Sequence, residues 1–227
     1  MTKRVFAVAA VGLAAVLVAG GLVASNMGFK ANYHLDTIGS NGSVSGAQTL
    51  ALPYNQQTGI NTAQDLINDI NTDAGAAVVD NVSRIIRTTD LKETYSLTSG
   101  GVDFAITPGE GYIVVVTASA DYIMVGSHNP ALPINLDSPG TNGSNSGTQL
   151  WSMPYHFTGT TAEDLITEIE SHGAPGDVDS VSSLVRTSVA PQTYSLVTGG
   201  TNFALVPGEA YVIVVLNDVT GWIPAHF

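Results

Sequence analysis

Residues 80–112 read DNVSRIIRTTDLKETYSLTSGGVDFAITPGEGY, and residues 179–211 read DSVSSLVRTSVAPQTYSLVTGGTNFALVPGEAY. The offset is a constant 99, about half of the positions are identical, and most others exchange like for like, as at Ile85/Leu184 and Ile86/Val185. Self-similarity of this length means one structural unit present in two copies. Working outward, Leu35-Asp36 through Pro53-Tyr54 matches Leu136-Asp137 through Pro154-Tyr155 at an offset of 101, and length changes bring it to 99 by Thr62/Thr161. The units run over about Phe29–His128 and Ala131–Phe227. Asn129-Pro130 is the expected joint, because the residue before proline is pushed into extended geometry.

The shared pattern predicts a mainly β, α+β fold: two tandem homologous modules, each a small twisted sheet or part-barrel with one short amphipathic helix. The expected strands are Ala31–Leu35, Gln48–Leu52, Val82–Arg87, Tyr95–Leu97, Phe104–Ile106, Tyr112–Val116 and Tyr122–Val125. Their second copies are Leu132–Leu136, Gln149–Met153, Val181–Arg186, Tyr211–Val215 and a short Gly221-Trp222-Ile223. Val82–Arg87 mixes apolar and polar residues, which predicts one wet face, whereas Tyr112–Val116 is nearly all apolar, the mark of a strand buried on both faces. Leu50/Trp151 and Leu52/Met153 exchange one large apolar group for another and belong in cores. Gly100-Gly101 and Gly199-Gly200 are expected as turns, and Pro108-Gly109 and Pro207-Gly208 as type II turns. Ala63, Leu66, Ile67 and Ile70 lie at helical spacing, as do Ala162, Leu165, Ile166 and Ile169. Thr62 and Thr161 stand at the N-cap, with Asp65 and Asp164 three residues on, a short-acid capping box.

At the N-terminus, Lys3 and Arg4 precede an uncharged stretch, Val5 to Val23, and then Ala24 and Ser25. That order is the layout of a secretory signal peptide cleaved after Ala24 or Ser25. A stretch of 19 residues also spans a bilayer if it is retained as an anchor. The expected division is a signal peptide over residues 1–25, a β-rich module over 26–128 and a second over 129–227. Beyond the signal, Lys30, Arg84, Arg87, Lys92 and Arg186 face all 19 acidic residues. So acidic a surface repels nucleic acid and anionic lipid, and no membrane contact is expected after signal cleavage. There is no cysteine, so neither a lipid anchor on cysteine nor a disulfide framework is available.

No catalytic, cofactor-binding or metal-binding residue is assigned. Glu110 and Glu209 recur in PGEGY and PGEAY, but a catalytic acid needs a second positioned group. The recurrent base is Arg87/Arg186, so the expectation is structural: the glutamate sits at a turn and accepts from that arginine or from turn amides, with Arg87 beside Glu110 and Arg186 beside Glu209. His34, His128, His156, His172 and His226 have no metal-site spacing. The loops DTIGSNGSVSG and DSPGTNGSNSG carry oxygens that suit calcium, yet each has one carboxylate. They also hold Asn41 and Asn142 in glycosylation sequons, with Asn81 in a third, although Asn-Gly is equally a turn signal. No nucleophile elbow, phosphate loop or dinucleotide fingerprint is present.

The LxLP-type strands at Leu50–Pro53 and Trp151–Pro154, the A-x-D-L-I helices at Ala63–Ile67 and Ala162–Ile166, and the turn-strands at Phe104–Tyr112 and Phe203–Tyr211 resemble those of exported bacterial tandem-repeat proteins built from small β-rich modules. The resemblance implies an architecture and a place on the cell surface. It transfers no catalytic residue, and most such proteins have no assigned activity. The expected function is therefore an exported, non-enzymatic structural or interaction protein of the cell surface, or periplasm, or an extracellular assembly, self-associating through edge strands such as Phe29–Leu35 and Gly221–Phe227. The alternative is a ligand-binding module for glycans or calcium, using the Gly/Ser/Asn loops with Tyr54, Tyr155 and Trp151.

Overall fold

The computed structural model describes residues 29–56, 59–127, 129, 131–184 and 190–225. The signal segment, His128, Pro130, Arg186 and His226 lie outside the described residues, so the expectations on them are not addressed. Module one runs β1 (Phe29–Leu35), β2 (Ala47–Ala51), β3 (Asn55–Gln56), α1 (Ala63–Ala74), β4 (Val79–Ile86), β5 (Leu91–Ser96), β6 (Gly100–Gly101), β7 (Gly111–Val116) and β8 (Ala120–Ser127). Module two runs β9 (Ile134–Leu136), β10 (Thr148–Ser152), α2 (Ala162–His172), β11 (Val178–Ser183), β12 (Gln192–Ser195), β13 (Gly199–Gly200), β14 (Ala210–Val215) and β15 (Val219–Trp222).

Each module holds a five-stranded antiparallel sheet of the same order, β2-β7-β4-β5-β6 and β10-β14-β11-β12-β13. A smaller sheet stands beside it, β1-β8-β3 in one and β9-β15 in the other. The register repeats: Leu50 sits opposite Tyr112, and Trp151 opposite Tyr211. The expected mainly β, two-module fold with one helix in each is the fold observed. No helix among the described residues is long and apolar enough to cross a membrane.

The helices form where the apolar stripe places them. In α1 the Thr62 hydroxyl accepts from the Asp65 amide at 3.3 Å, and Asp65 Oδ2 accepts from the Thr62 amide at 3.1 Å. In α2 the same two bonds are 3.2 and 3.0 Å. These boxes occupy amides that an α-helix start leaves unpaired. Gly75, at φ 66°, ends α1 in the left-handed region. Each helix buries its four stripe residues completely, and burying a Leu or Ile side chain contributes roughly 1.5–3 kcal/mol. A helix of three turns is marginal alone, so this face holds it. α1 packs on β4 and β8, and α2 on β11 and β15, so each helix joins its module's two sheets.

Two expectations are corrected. The glycine pairs are not the turns. Gly100 and Gly101 form the returning strand β6, opposite Ser96 and Tyr95, and Gly199 and Gly200 repeat it. The turn lies between, where Ser96 Oγ accepts from the amides of Thr98 and Ser99. Glycine is required because Gly101 has φ 114° and a Cβ there would collide with the Thr94 carbonyl; Gly200 stands in the same relation to Thr193. Nor is Phe104–Ile106 a strand. It straps the helix start: the Phe104 carbonyl accepts from the Ala63 amide at 2.9 Å, and the Ile106 amide donates to the Asn61 carbonyl at 2.8 Å. Phe203 and Leu205 do the same for α2.

Candidate functional site

The recurrent glutamates close a corner. The Tyr112 hydroxyl accepts from the Thr107 amide at 2.7 Å and donates to Glu110 Oε2 at 3.2 Å. In module two the Tyr211 hydroxyl accepts from the Val206 amide at 2.6 Å and lies 3.4 Å from Glu209 Oε2. Phe104 stacks on Tyr112, and Phe203 on Tyr211. The Pro-Gly turns are as expected: Gly109 and Gly208 have φ 84° and 91°, and the Glu110 amide donates to the Thr107 carbonyl. Burial pushes both tyrosine hydroxyls well above their ordinary pKa, and the adjacent glutamate adds to the shift. Burial also raises Glu110, against the opposing pull of the Arg84 guanidinium and the Tyr112 hydroxyl.

Arg87 lies near Glu110 as expected, but it is not the closest guanidinium. Arg84 is nearer, with Nη1 3.9 Å from Glu110 Oε2. Arg84 also grips Glu93 through Nε and Nη2, each at 2.8 Å, and lies over the Phe104 ring. Arg87 Nη1 instead reaches the second module, 2.6 Å from Asp137 Oδ2 and 2.9 Å from Gln149 Oε1. The matching pair Arg186–Glu209 involves a residue outside the described set.

The other candidates divide. His34 lies 2.7 Å from Asp121, and His156 faces the Tyr155 ring. No group of three or more His, Asp or Glu among the described residues could hold a metal. In the loops expected to suit calcium, Asp36 accepts from Ser40 and Asn41, and Asp137 from Asn142. The sequon amides of Asn41, Asn142 and Asn81 donate to Asp36, Asp137 and Asp80. Of the aromatics expected to bind glycan, Tyr54 and Trp151 are buried and Tyr155 is 48% exposed. Trp151 packs against Phe157 and Trp222, with ring centroids 5.7 and 5.0 Å apart. Tyr54 donates to the Ser152 carbonyl. Those two cannot form a sugar platform.

What the sequence did not reveal is the face between the modules. The Ala51 amide donates to the Gly208 carbonyl at 2.8 Å, and the Ser152 amide to the Gly109 carbonyl at 2.9 Å. Ala51 corresponds to Ser152 and Gly109 to Gly208, so the two bonds are reciprocal about a pseudo-twofold axis, the pattern of an isologous interface. Between them Ala51, Ile113, Leu150 and Ala210 form a third apolar cluster, with Ile85 and Leu184 packed on it. This cluster buries the second face of β7 and leaves Val82–Arg87 less wet than expected. The loop after β9 also docks on module one: the Asn145 amide donates to the Arg87 carbonyl, and its side chain to Asp90.

Beside this face lies a cavity of 330 Å³, at the small end of ligand clefts. Module one lines it with Arg84, Arg87 and Glu110, and module two with Ile134, Gln149 and Leu150. It offers hydrogen-bond donors, one half-buried acid and an apolar wall, an arrangement suited to recognition. No family model, curated protein or solved structure matches the chain.

Proposed function

We propose that this is an exported, non-enzymatic structural or interaction protein that acts at the cell surface or in an extracellular assembly. One observation carries the reading: the capping and corner residues that recur between the modules are engaged in scaffold bonds. Thr62–Asp65 and Thr161–Asp164 cap helices, and Tyr112–Glu110 and Tyr211–Glu209 close corners. A duplicated shape in which the shared polar groups hold the fold together is what a building module needs.

Self-association by strand pairing belongs to the same reading. The inner edges, β2 and β10, face each other across the junction, and β6 and β13 are two-residue glycine strands too short to template a neighbour. The seven-residue β1 pairs with β8 on one side and forms the edge of its sheet, the arrangement open to a further strand. Light scattering after size exclusion, with negative-stain microscopy, tests this on the chain lacking residues 1–25. Concentration-dependent oligomers or filaments are expected, and a strict monomer at high concentration defeats the assembly role.

A further inference from the structure

Residues that line the junction cavity, Ile134 and Arg84 among them, differ from their counterparts across the pseudo-twofold axis. At the equivalent place in the other half, Tyr33 stands for Ile134, Ser183 for Arg84 and Gln48 for Gln149. There the Tyr33 ring is buried, lies against Gly208 and donates its hydroxyl to the Thr49 carbonyl at 3.0 Å. Gln48 is satisfied at both ends by the main chain of Asp36, accepting from the amide at 2.9 Å and donating to the carbonyl at 3.3 Å. On the cavity side Ile134 is too small to fill the space. Gln149 Oε1 has turned to accept from Arg87, and Gln149 Nε2 is left buried with no partner. Gln149 itself is 6% exposed. An unmade buried donor is costly enough to call for an explanation.

We propose that this cavity is a binding site for a neutral polyol the size of one sugar ring. The orphaned Gln149 amide asks for an acceptor oxygen. Arg84 Nη1, at 3.9 Å from Glu110, is beyond hydrogen-bond length, and Arg84 lines the same space. The Glu110 carboxylate accepts from Tyr112 and has lone pairs left to accept from a further donor. A sugar hydroxyl both donates and accepts, so adjacent hydroxyls meet both demands at once. Pro108, Ile134 and Leu150 supply the apolar wall for the C–H face of a ring. A carboxylate ligand fits less well, because both lining arginines are already paired, Arg84 with Glu93 and Arg87 with Asp137, and Glu110 lines the same space. A cation fits less well because Gln149 and Arg84 present donors to it. The site is independent of assembly: a chain that assembles and binds no sugar loses this inference and keeps the structural role.

The test is an NMR titration of the chain lacking residues 1–25 with neutral hexoses, the matching uronic acids and short neutral oligosaccharides. Saturable shifts at residues of the cavity are expected with a neutral hexose, with weaker binding of its uronic acid. An oligosaccharide that binds more tightly than its monomer identifies a glycan chain as the source, and equal binding identifies the free sugar; either supports the site. Ile134→Tyr, which installs the residue found across the axis, should abolish binding. Arg84→Ser, which does the same at a partly exposed position, should weaken it about tenfold, the effect of one lost hydrogen bond to a charged group, and serves if Ile134→Tyr fails to fold. No saturable binding by any sugar, tighter binding of the uronic acid, or binding that survives both substitutions overturns the proposal.

Discussion

Leu50 and Trp151 occupy equivalent positions on β2 and β10, as do Tyr33 and Ile134 on the first strand of each module, and the two exchanges have opposite consequences. Leu50 and Trp151 are both buried in their own cores. Trp151 packs against Phe157 and Trp222, which join it in the second cluster. At the junction the smaller Ile134 lines open space. The difference teaches that each core adjusts to its residues within a module, whereas the contact between modules does not adjust and keeps the mismatch. Substitutions at shared scaffold positions should therefore cost the two modules alike, and those at unshared positions should not.

The largest effect is expected at the core exchange. Trp151→Ala should cost about 3–5 kcal/mol and Leu50→Ala about 2–5 kcal/mol in urea unfolding, with Trp151→Ala the larger because it strips two aromatic contacts as well. Equal costs would remove the claim that the second core is rebuilt around its indole. Next come Gly101→Ala and Gly200→Ala. Each forces a Cβ into a carbonyl at φ 114° or 118°, with a cost of roughly 1–3 kcal/mol and the same value in both modules. A cost in one module alone would break the equivalence of the two scaffolds. Thr62→Ala and Thr161→Ala should each lose about 1 kcal/mol, the usual value of an N-cap.

The smallest effect concerns Glu110 and has a definite sign. Burial raises its pKa in the folded protein above that of the unfolded chain, so the folded state holds its proton more tightly. Its contribution is greatest below the ordinary glutamate range and falls as pH rises from there through the raised folded value. Glu110→Gln keeps an acceptor for Tyr112 and removes the titration. The stability of the parent relative to Glu110→Gln should therefore decline from acid towards neutral pH and then level off. A difference independent of pH would show that Glu110 is not held in a low-dielectric corner.

Much of the fold was legible because its signals are local. The stripe from Ala63 to Ile70 and the box from Thr62 to Asp65 lie within one helix turn or two, and the structure reproduces them. The Pro-Gly turns are equally local. The Gly-Gly pairs were misplaced because positive φ suggests a turn tip, whereas here it serves a close approach of β6 to the Thr94 carbonyl. Recurrence points from Glu110 to Arg87, whereas the nearest guanidinium is Arg84. The recurring arginine crosses to Asp137, and the near one, Arg84, has only a serine, Ser183, as its counterpart. The cavity was not legible at all, since it depends on two chain segments meeting across an axis that no spacing encodes. The one available signal was the apolar run of β7, whose second buried face needed a partner.

The modules meet face to face through Ala51, Ile113, Leu150 and Ala210. Methyl-labelled NMR on a monomeric sample measures this contact directly. Nuclear Overhauser contacts are expected between the methyl groups of Ala51 and Ile113 in module one and those of Leu150 and Ala210 in module two. Two modules that each give their own core contacts but none between these groups would contradict the paired arrangement and the cavity with it.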